Sequence, residues 1–259
     1  MAYEELAHLI QKAPQEGSRW TLAGIRQSLS WFKGRSLTCV WKTLLRFGLV
    51  YKRGRESIHS PDPDYNLKLA YIDAAKAESL ARPEAVVLLF QDELTYYRRP
   101  SLARAYAAKA SKEPKASLGW TSNKKRRICG SLNWQTGAVF AQQLGRFGVS
   151  QLKRYYQKLE AAYPQAQRIY LVQDNWPVHR HPDLLDFFAT SRIQPLFLPT
   201  YAPWTNPTEK VWRRLKQELL HLHPFEDDWL ALQTAVQAWL DKWCLGSTDL
   251  LHYVGLTPY

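Results

Sequence analysis

The chain predicts an α/β fold, a mixed β-sheet with helices on its faces, preceded by a small helical region. From residue 84 onward the pattern reads strand, strand, strand, helix, strand, helix, strand, helix. Two of those strands, AVVLLFQD (85–92) and RIYLVQD (168–174), are short and almost continuously apolar, as expected of strands buried on both faces. Residues 1–50 instead carry apolar side chains at helical spacing, interrupted by a glycine.

In chain order, Leu22, Ile25 and Leu29 recur at helical spacing within TLAGIRQSL, and the turn SWFKGRS breaks at Gly34. SLTCVWKTLLRFGLV then carries Leu37, Val40, Trp41, Leu44 and Leu45 on one stripe, with Ser36 placed to cap it. Two helices across a short glycine turn fit a helix-turn-helix whose second helix presents Arg35, Thr38, Lys42 and Arg46. A generic helical hairpin with solvated cations fits the same pattern. YKRGRESIHSPDPDY (51–65) has a linker composition, and Lys52, Arg53 and Arg55 in its basic half can track a phosphate backbone or simply solvate a hinge. The helix YNLKLAYIDAAKAESLA (65–81) completes a connecting segment, 51–83, ahead of a body spanning 84–259.

Within that body, RRICGSLNW (126–134) and AVFAQQL (138–144) flank the hairpin connection QTG. VSQLKRYYQKLEAAY (149–163) and HPDLLDFFATS (181–191) read as helices around the second buried strand, and QPLFLP (194–199) as the last strand. Two further helices are expected near 206–221 and 225–243.

Lys and Arg total 35 against 23 Asp and Glu, a formal charge of +12 that points to a polyanionic partner, although ordinary enzymes also reach such a balance. Cys39, Cys129 and Cys244 are odd in number and far apart, which disfavours a disulfide framework or a zinc cluster and suits a reducing compartment. No apolar run reaches the roughly 18 residues of a membrane span, and the N-terminus lacks a cleavable signal pattern, so the chain reads as cytoplasmic.

Three acidic residues stand in settings that suit metal-dependent chemistry. Asp92 and Asp174 close the two apolar runs, where open α/β sheets place their sites, and Glu209 sits in NPTEKVWRRLK at a helix start. Each has a plain structural reading too. Asp92 and Asp174 can end strands as turn formers. Asn206, Pro207 and Glu209 are spaced as N-cap, N1 and N3 of a capping box. Glu209 nevertheless shares a helix face with Arg213 and Lys216, away from the apolar stripe of Val211, Trp212, Leu215 and Leu219. Glu93 is an alternative ligand or a supporting group, Asn175 and Asn206 are supporting groups, and His179 can orient a carboxylate or a phosphate or stand as a satisfied loop histidine. Phosphodiester hydrolysis calls for an activated water and for neutralised charge on attacking and leaving oxygens. Two Mg²⁺ ions roughly 4 Å apart supply both, and Mg²⁺ takes hard carboxylate oxygens.

FQDE (90–93), VQDNWPVH (172–179) and LPTYAPWTNPTEKVWRRLK (198–216) resemble the IS630 branch of the IS630/Tc1/mariner transposases. The likeness runs from 84 to about 222. More loosely it covers 18–65, where RWTLAGIRQSL, VWKTLLRFGLVYKRGR and HSPDPDY look like the family's second helix-turn-helix and linker. It implies an RNase H-like fold with a winged-helix-like helix-turn-helix ahead of it. Its D, D, E triad maps onto Asp92, Asp174 and Glu209, the last two separated by 34 residues. It further implies Mg²⁺, with Mn²⁺ able to substitute, and cleavage at the terminal inverted repeats of a transposon. The freed 3′-hydroxyl then attacks target DNA, typically at TA, within a homodimeric complex on double-stranded DNA in a bacterial nucleoid. Family members carry another helix-turn-helix ahead of this one, whereas RWTL here begins at Arg19, so a truncated or split product is one expectation. A DNA-binding repressor without transposition activity and a structure-directed nuclease on the same core are the competing readings.

Overall fold

The computed structural model describes residues 2–14, 17–52, 59–109 and 111–256, which form two compact units, Met1–Ile58 and His59–Tyr259. Arg53 and Arg55 lie outside the described residues.

The first unit holds α1 (Ala2–Gln11), α2 (Leu22–Ser28) and α3 (Leu37–Arg46). Thr21 caps α2 by accepting from the Gly24 N–H at 3.0 Å, and Ser36 caps α3 by accepting from Cys39 N–H at 3.2 Å. Between them lies a 3₁₀ turn, Ser30–Phe32, and Gly34 follows with φ +77°, a conformation that favours glycine. Leu6, Ile25, Leu29, Phe32, Val40 and Leu44 form its core. The stripe expected on α3 is therefore only partly buried, because Leu37, Trp41 and Leu45 stay exposed. A unit this small covers one narrow face of a helix, and the rest of the apolar stripe is left to solvent. No strand occurs among its described residues, so the winged form of the motif is not seen there.

The second unit is built on a five-stranded sheet in the order β3-β2-β1-β4-β5: β1 (Val86–Tyr97), β2 (Lys125–Asn133), β3 (Val139–Leu144), β4 (Arg168–Gln173) and β5 (Ile193–Phe197). β2 pairs antiparallel with both β1 and β3, whereas β4 pairs in parallel with both β1 and β5. α4 (Tyr65–Ala81) packs Ile72 and Ala75 on Leu88 and Phe90 of β1 and Val172 of β4. It packs within this unit, because its apolar face has the sheet to bury against. α5 (Val149–Ala162) and α6 (Pro182–Thr190) cover the opposite face through Leu152, Tyr155, Tyr156 and Leu184. α7 (Thr208–Leu215), α8 (Trp229–Asp241) and α9 (Thr248–Val254) enclose a core of Leu94, Tyr96, Ile128, Trp212 and Trp239. α7 continues as a π-helical turn, Lys216–Leu220, and ends earlier than its periodicity suggests; α9 is additional to the helices expected. No helix among the described residues is long and apolar enough to cross a membrane.

Candidate active site

Asp92 does not end its strand. β1 pairs in parallel with β4 only as far as Phe90↔Val172, while its antiparallel pairing with β2 continues through Asp92↔Gly130 to Tyr97↔Lys125. The expectation that Asp92 ends the strand is corrected accordingly: the polar residue marks where one neighbour leaves, and the other keeps the strand going. On the side that β4 vacates, Asp174 directly follows Gln173, the last residue of β4, and its Oδ1 accepts from Trp176 N–H at 2.9 Å.

The start of α7 is fixed to β1 next to Asp92. Thr208 donates its hydroxyl to the Phe90 carbonyl at 2.7 Å, and Asn206 donates its side-chain amide to the Gln91 carbonyl at 3.0 Å. Asn206 Oδ1 also accepts from Thr208 N–H at 3.1 Å, so it caps the first turn much as expected, one residue outside the helix boundary. Glu209 does not close the capping box, because the Asn206 N–H donates to the Pro203 carbonyl instead. Gly130 lets α7 approach this closely: a β-carbon there would stand 2.5 Å from Trp212 Cη2. Sequence reasoning passed over Thr208 and Gly130. The sign of Thr208 lay inside NPTE, whereas Gly130 has meaning only once Trp212 is placed on it.

Asp92, Asp174 and Glu209 line one cavity of 270 Å³, together with Asn175, Asn206 and the loop 198–203. Glu93 stands on the other face of β1, where Gln91 Nε2 donates to its Oε1 at 2.6 Å. The fully buried His179 bridges these groups: its Nε2 lies 3.4 Å from both Glu93 Oε1 and Asp174 Oδ1, without hydrogen-bond alignment to either. Its Nδ1 meets the Tyr156 hydroxyl at 3.1 Å, and that hydroxyl donates to Gln173 Oε1 at 3.1 Å. Asn175 donates to the Leu198 carbonyl at 2.5 Å and accepts from Arg180 Nη2 at 2.6 Å, while the Arg180 guanidinium lies over Phe197. Of the cations anticipated as phosphate contacts, Arg213 and Lys216 are exposed on the Glu209 face of α7 and its extension. In the first unit Arg35, Thr38, Lys42, Arg46 and Lys52 are exposed as well.

Charge in the cavity is unbalanced. Burial, reinforced by Glu209, Glu93 and Asp174, pushes the Asp92 carboxyl up to about 8. Among the described residues no three acidic, histidine or cysteine side chains already enclose one point as a closed metal cage. Mg²⁺ binds through one or two carboxylates and completes its shell with water and substrate phosphate. Hard oxygen donors around unrelieved negative charge fit such an ion, and Asp92, Asp174 and Glu209 are the residues that would hold it.

The loop over the cavity is tied down by Asp62, whose carboxylate accepts from Thr200 N–H at 2.7 Å and from Lys68 Nζ at 2.6 Å. Its next residue, Tyr201, has φ +53°, a left-handed conformation that costs a non-glycine residue about 1–2 kcal/mol.

Comparison with known proteins places this fold among described families. Residues 87–229 match the family described as DDE superfamily endonuclease. The insertion element IS630 uncharacterized 39 kDa protein of Shigella sonnei is 23% identical over 239 residues, spanning 88% of this chain and 67% of that one. Among solved structures, the Mos1 transposase paired-end complex with left transposon end superposes with a TM-score of 0.67 at 18% identity, covering 98% of this chain and 74% of that one. The mariner Mos1 paired-end complex with Mg gives 0.67 at 19% identity with the same coverage. At such identity these two structures speak for the fold, an RNase H-like α/β sheet with flanking helices. The chain belongs to the DDE superfamily endonucleases.

Proposed function

We propose that the cavity lined by Asp92, Asp174 and Glu209 cuts DNA at the ends of a transposon and joins the freed ends to target DNA. The observation that carries this is the gathering of those three carboxylates on one cavity, from a strand interior, a strand end and a helix start. Two Mg²⁺ ions, or Mn²⁺ in their place, would be held by the three carboxylates and would supply charge neutralisation and an activated oxygen nucleophile. Mos1 complexes have been solved with Mg and with Mn, in support of that choice.

In the first reaction water attacks the scissile phosphorus and the P–O3′ bond breaks, leaving a 3′-hydroxyl and a 5′-phosphate. In the second that hydroxyl attacks a target phosphodiester, at TA, and displaces the target's own 3′-oxygen. Tyr156 fixes the His179 ring through Nδ1, and that ring stands 3.4 Å from Asp174 and Glu93 behind the cavity. Asn206 and Thr208 fix the helix that presents Glu209, and Arg213 and Lys216 extend from its exposed face toward the DNA backbone. The helix-turn-helix, through Arg35, Thr38, Lys42 and Arg46, reads the terminal repeats, and two copies bring two ends together on the double-stranded DNA.

The test uses a supercoiled plasmid carrying the DNA that flanks this gene. Wild-type protein with Mg²⁺ should nick and release the segment. Asp174→Asn and Glu209→Gln should lose at least a hundredfold in cleavage, about 3 kcal/mol of transition-state stabilisation, while binding the same DNA with near-normal affinity. Undiminished cutting by either variant would remove that residue from the site.

A further inference from the structure

The carboxylates account for one side of the cavity. The other side is apolar, formed by Leu198, Pro199, Ala202 and Pro203, and Tyr201 stands on it. Metal ions and phosphates have no use for such a wall. Tyr201 is 74% exposed, and among the described residues its side chain makes no hydrogen bond or ring contact. An aromatic residue held at φ +53° and left 74% exposed contributes little to the core; glycine or asparagine would suit the turn better. Trp204 follows on the same loop, within the turn Pro203–Thr205. Its indole N–H is held by the Tyr65 hydroxyl at 3.3 Å, which fixes the ring while leaving it 50% exposed.

We propose that Tyr201, with Trp204 beside it, is a stacking platform for an unpaired nucleobase next to the reacting phosphodiester. A base has an apolar π-face that stacks on aromatic rings whatever its identity, and a base taken out of the duplex needs a surface that replaces its lost stacking. The apolar wall supplies that surface within the same cavity as the carboxylates. The inference rests on the DNA-cutting reading of this site. It assigns to the loop a ligand, the base, that the carboxylates do not bind.

The test compares two probes with the full chain: a blunt DNA duplex, and the same duplex carrying a three-nucleotide unpaired tail with 2-aminopurine in it. Wild-type protein should prefer the tailed probe and quench the 2-aminopurine emission by stacking. Tyr201→Ala should weaken tailed-probe binding about 5- to 150-fold and abolish the quenching, with blunt-duplex affinity unchanged. Tyr201→Phe should behave as wild type, and Tyr201→Gly, which relieves the backbone, should behave as Tyr201→Ala. Retention of the preference by Tyr201→Ala, or equal loss on both probes, overturns the platform. Metal-dependent nicking by wild type against Asp174→Asn reports separately on the DNA-cutting reading, so the two can fail independently.

Discussion

Replacing Asp92 with Asn should stabilise the metal-free protein, and increasingly so as pH rises. The folded carboxyl titrates at about 8 against an ordinary value of 3.8. Between those values the folded chain therefore holds a proton that the unfolded chain has released. By linkage, stability falls with rising pH, by up to about 1.4 kcal/mol per pH unit for one proton. From about pH 5 to pH 7 the full slope amounts to roughly 3 kcal/mol, and about half of that where water entering the cavity screens the field. Asn has nearly the same shape, carries no proton to exchange and repels none of Glu209, Glu93 or Asp174. The assay is urea unfolding in EDTA at several pH values, read as the difference between variant and wild type. That difference should widen from pH 5 to pH 7. Millimolar Mg²⁺ should then stabilise wild type at the upper end and leave Asp92→Asn little changed, since an ion that binds only the folded site adds its binding free energy. Parallel pH curves for the two proteins would show that Asp92 is not charge-stressed, and the reasoning about the cavity's electrostatics would fall with it.

Gly130→Ala should lower stability by about 1–3 kcal/mol and reduce DNA nicking, because the added methyl meets the Trp212 ring on the helix that carries Glu209; wild-type unfolding and cutting would show that the ring yields freely. Asp62→Asn should destabilise the protein near neutral pH, since the Asp62 carboxyl is held well below the usual range, first by Lys68 and then by Thr200 N–H. A depressed folded value contributes stability above the unfolded value, near 3.9, and loses it as pH falls through that range toward the folded value. The gap between Asp62→Asn and wild type in urea midpoint should therefore shrink below about pH 4, and a gap independent of pH would contradict the assignment. Arg35→Glu with Lys42→Glu should weaken DNA binding and flatten the plot of log affinity against log salt by about two; an unchanged slope would make α3 a structural helix only.

The strands of the second unit were legible because buried strands and amphipathic helices write their periods directly into the chain. Asp174 at the end of β4 and the Val211, Trp212 and Leu215 stripe of α7 follow from period alone. What period cannot show is pairing. Nothing in AVVLLFQD tells that β1 continues to Tyr97 on one neighbour after losing the other at Phe90, since that depends on the partner strands. The same holds for α4. Its composition suits a connecting helix, and only the sheet beside it reveals that Ile72 and Ala75 have a surface to bury. On α3 the error ran the other way, because the stripe in the sequence is wider than a three-helix unit can cover.

The placement of Asp92 explains why a polar residue is tolerated beside a strand that is otherwise core. At Leu89 and Phe90 the strand has neighbours on both edges and helices on both faces, and an acidic side chain there would be buried without relief. Only in the short interval after β4 leaves, while β2 still fixes the backbone, is the position at once rigid, half-desolvated and open on one side. Asn206 and Thr208 bind the backbone of Phe90 and Gln91 at that interval, so Glu209 is delivered to the same gap. The cluster is thus held by main-chain hydrogen bonds that ignore its charge. This is why Asp92, Glu93, Asp174 and Glu209 can stay close in the folded chain, with Asp92 keeping its proton near neutral pH, until a cation is there to meet them.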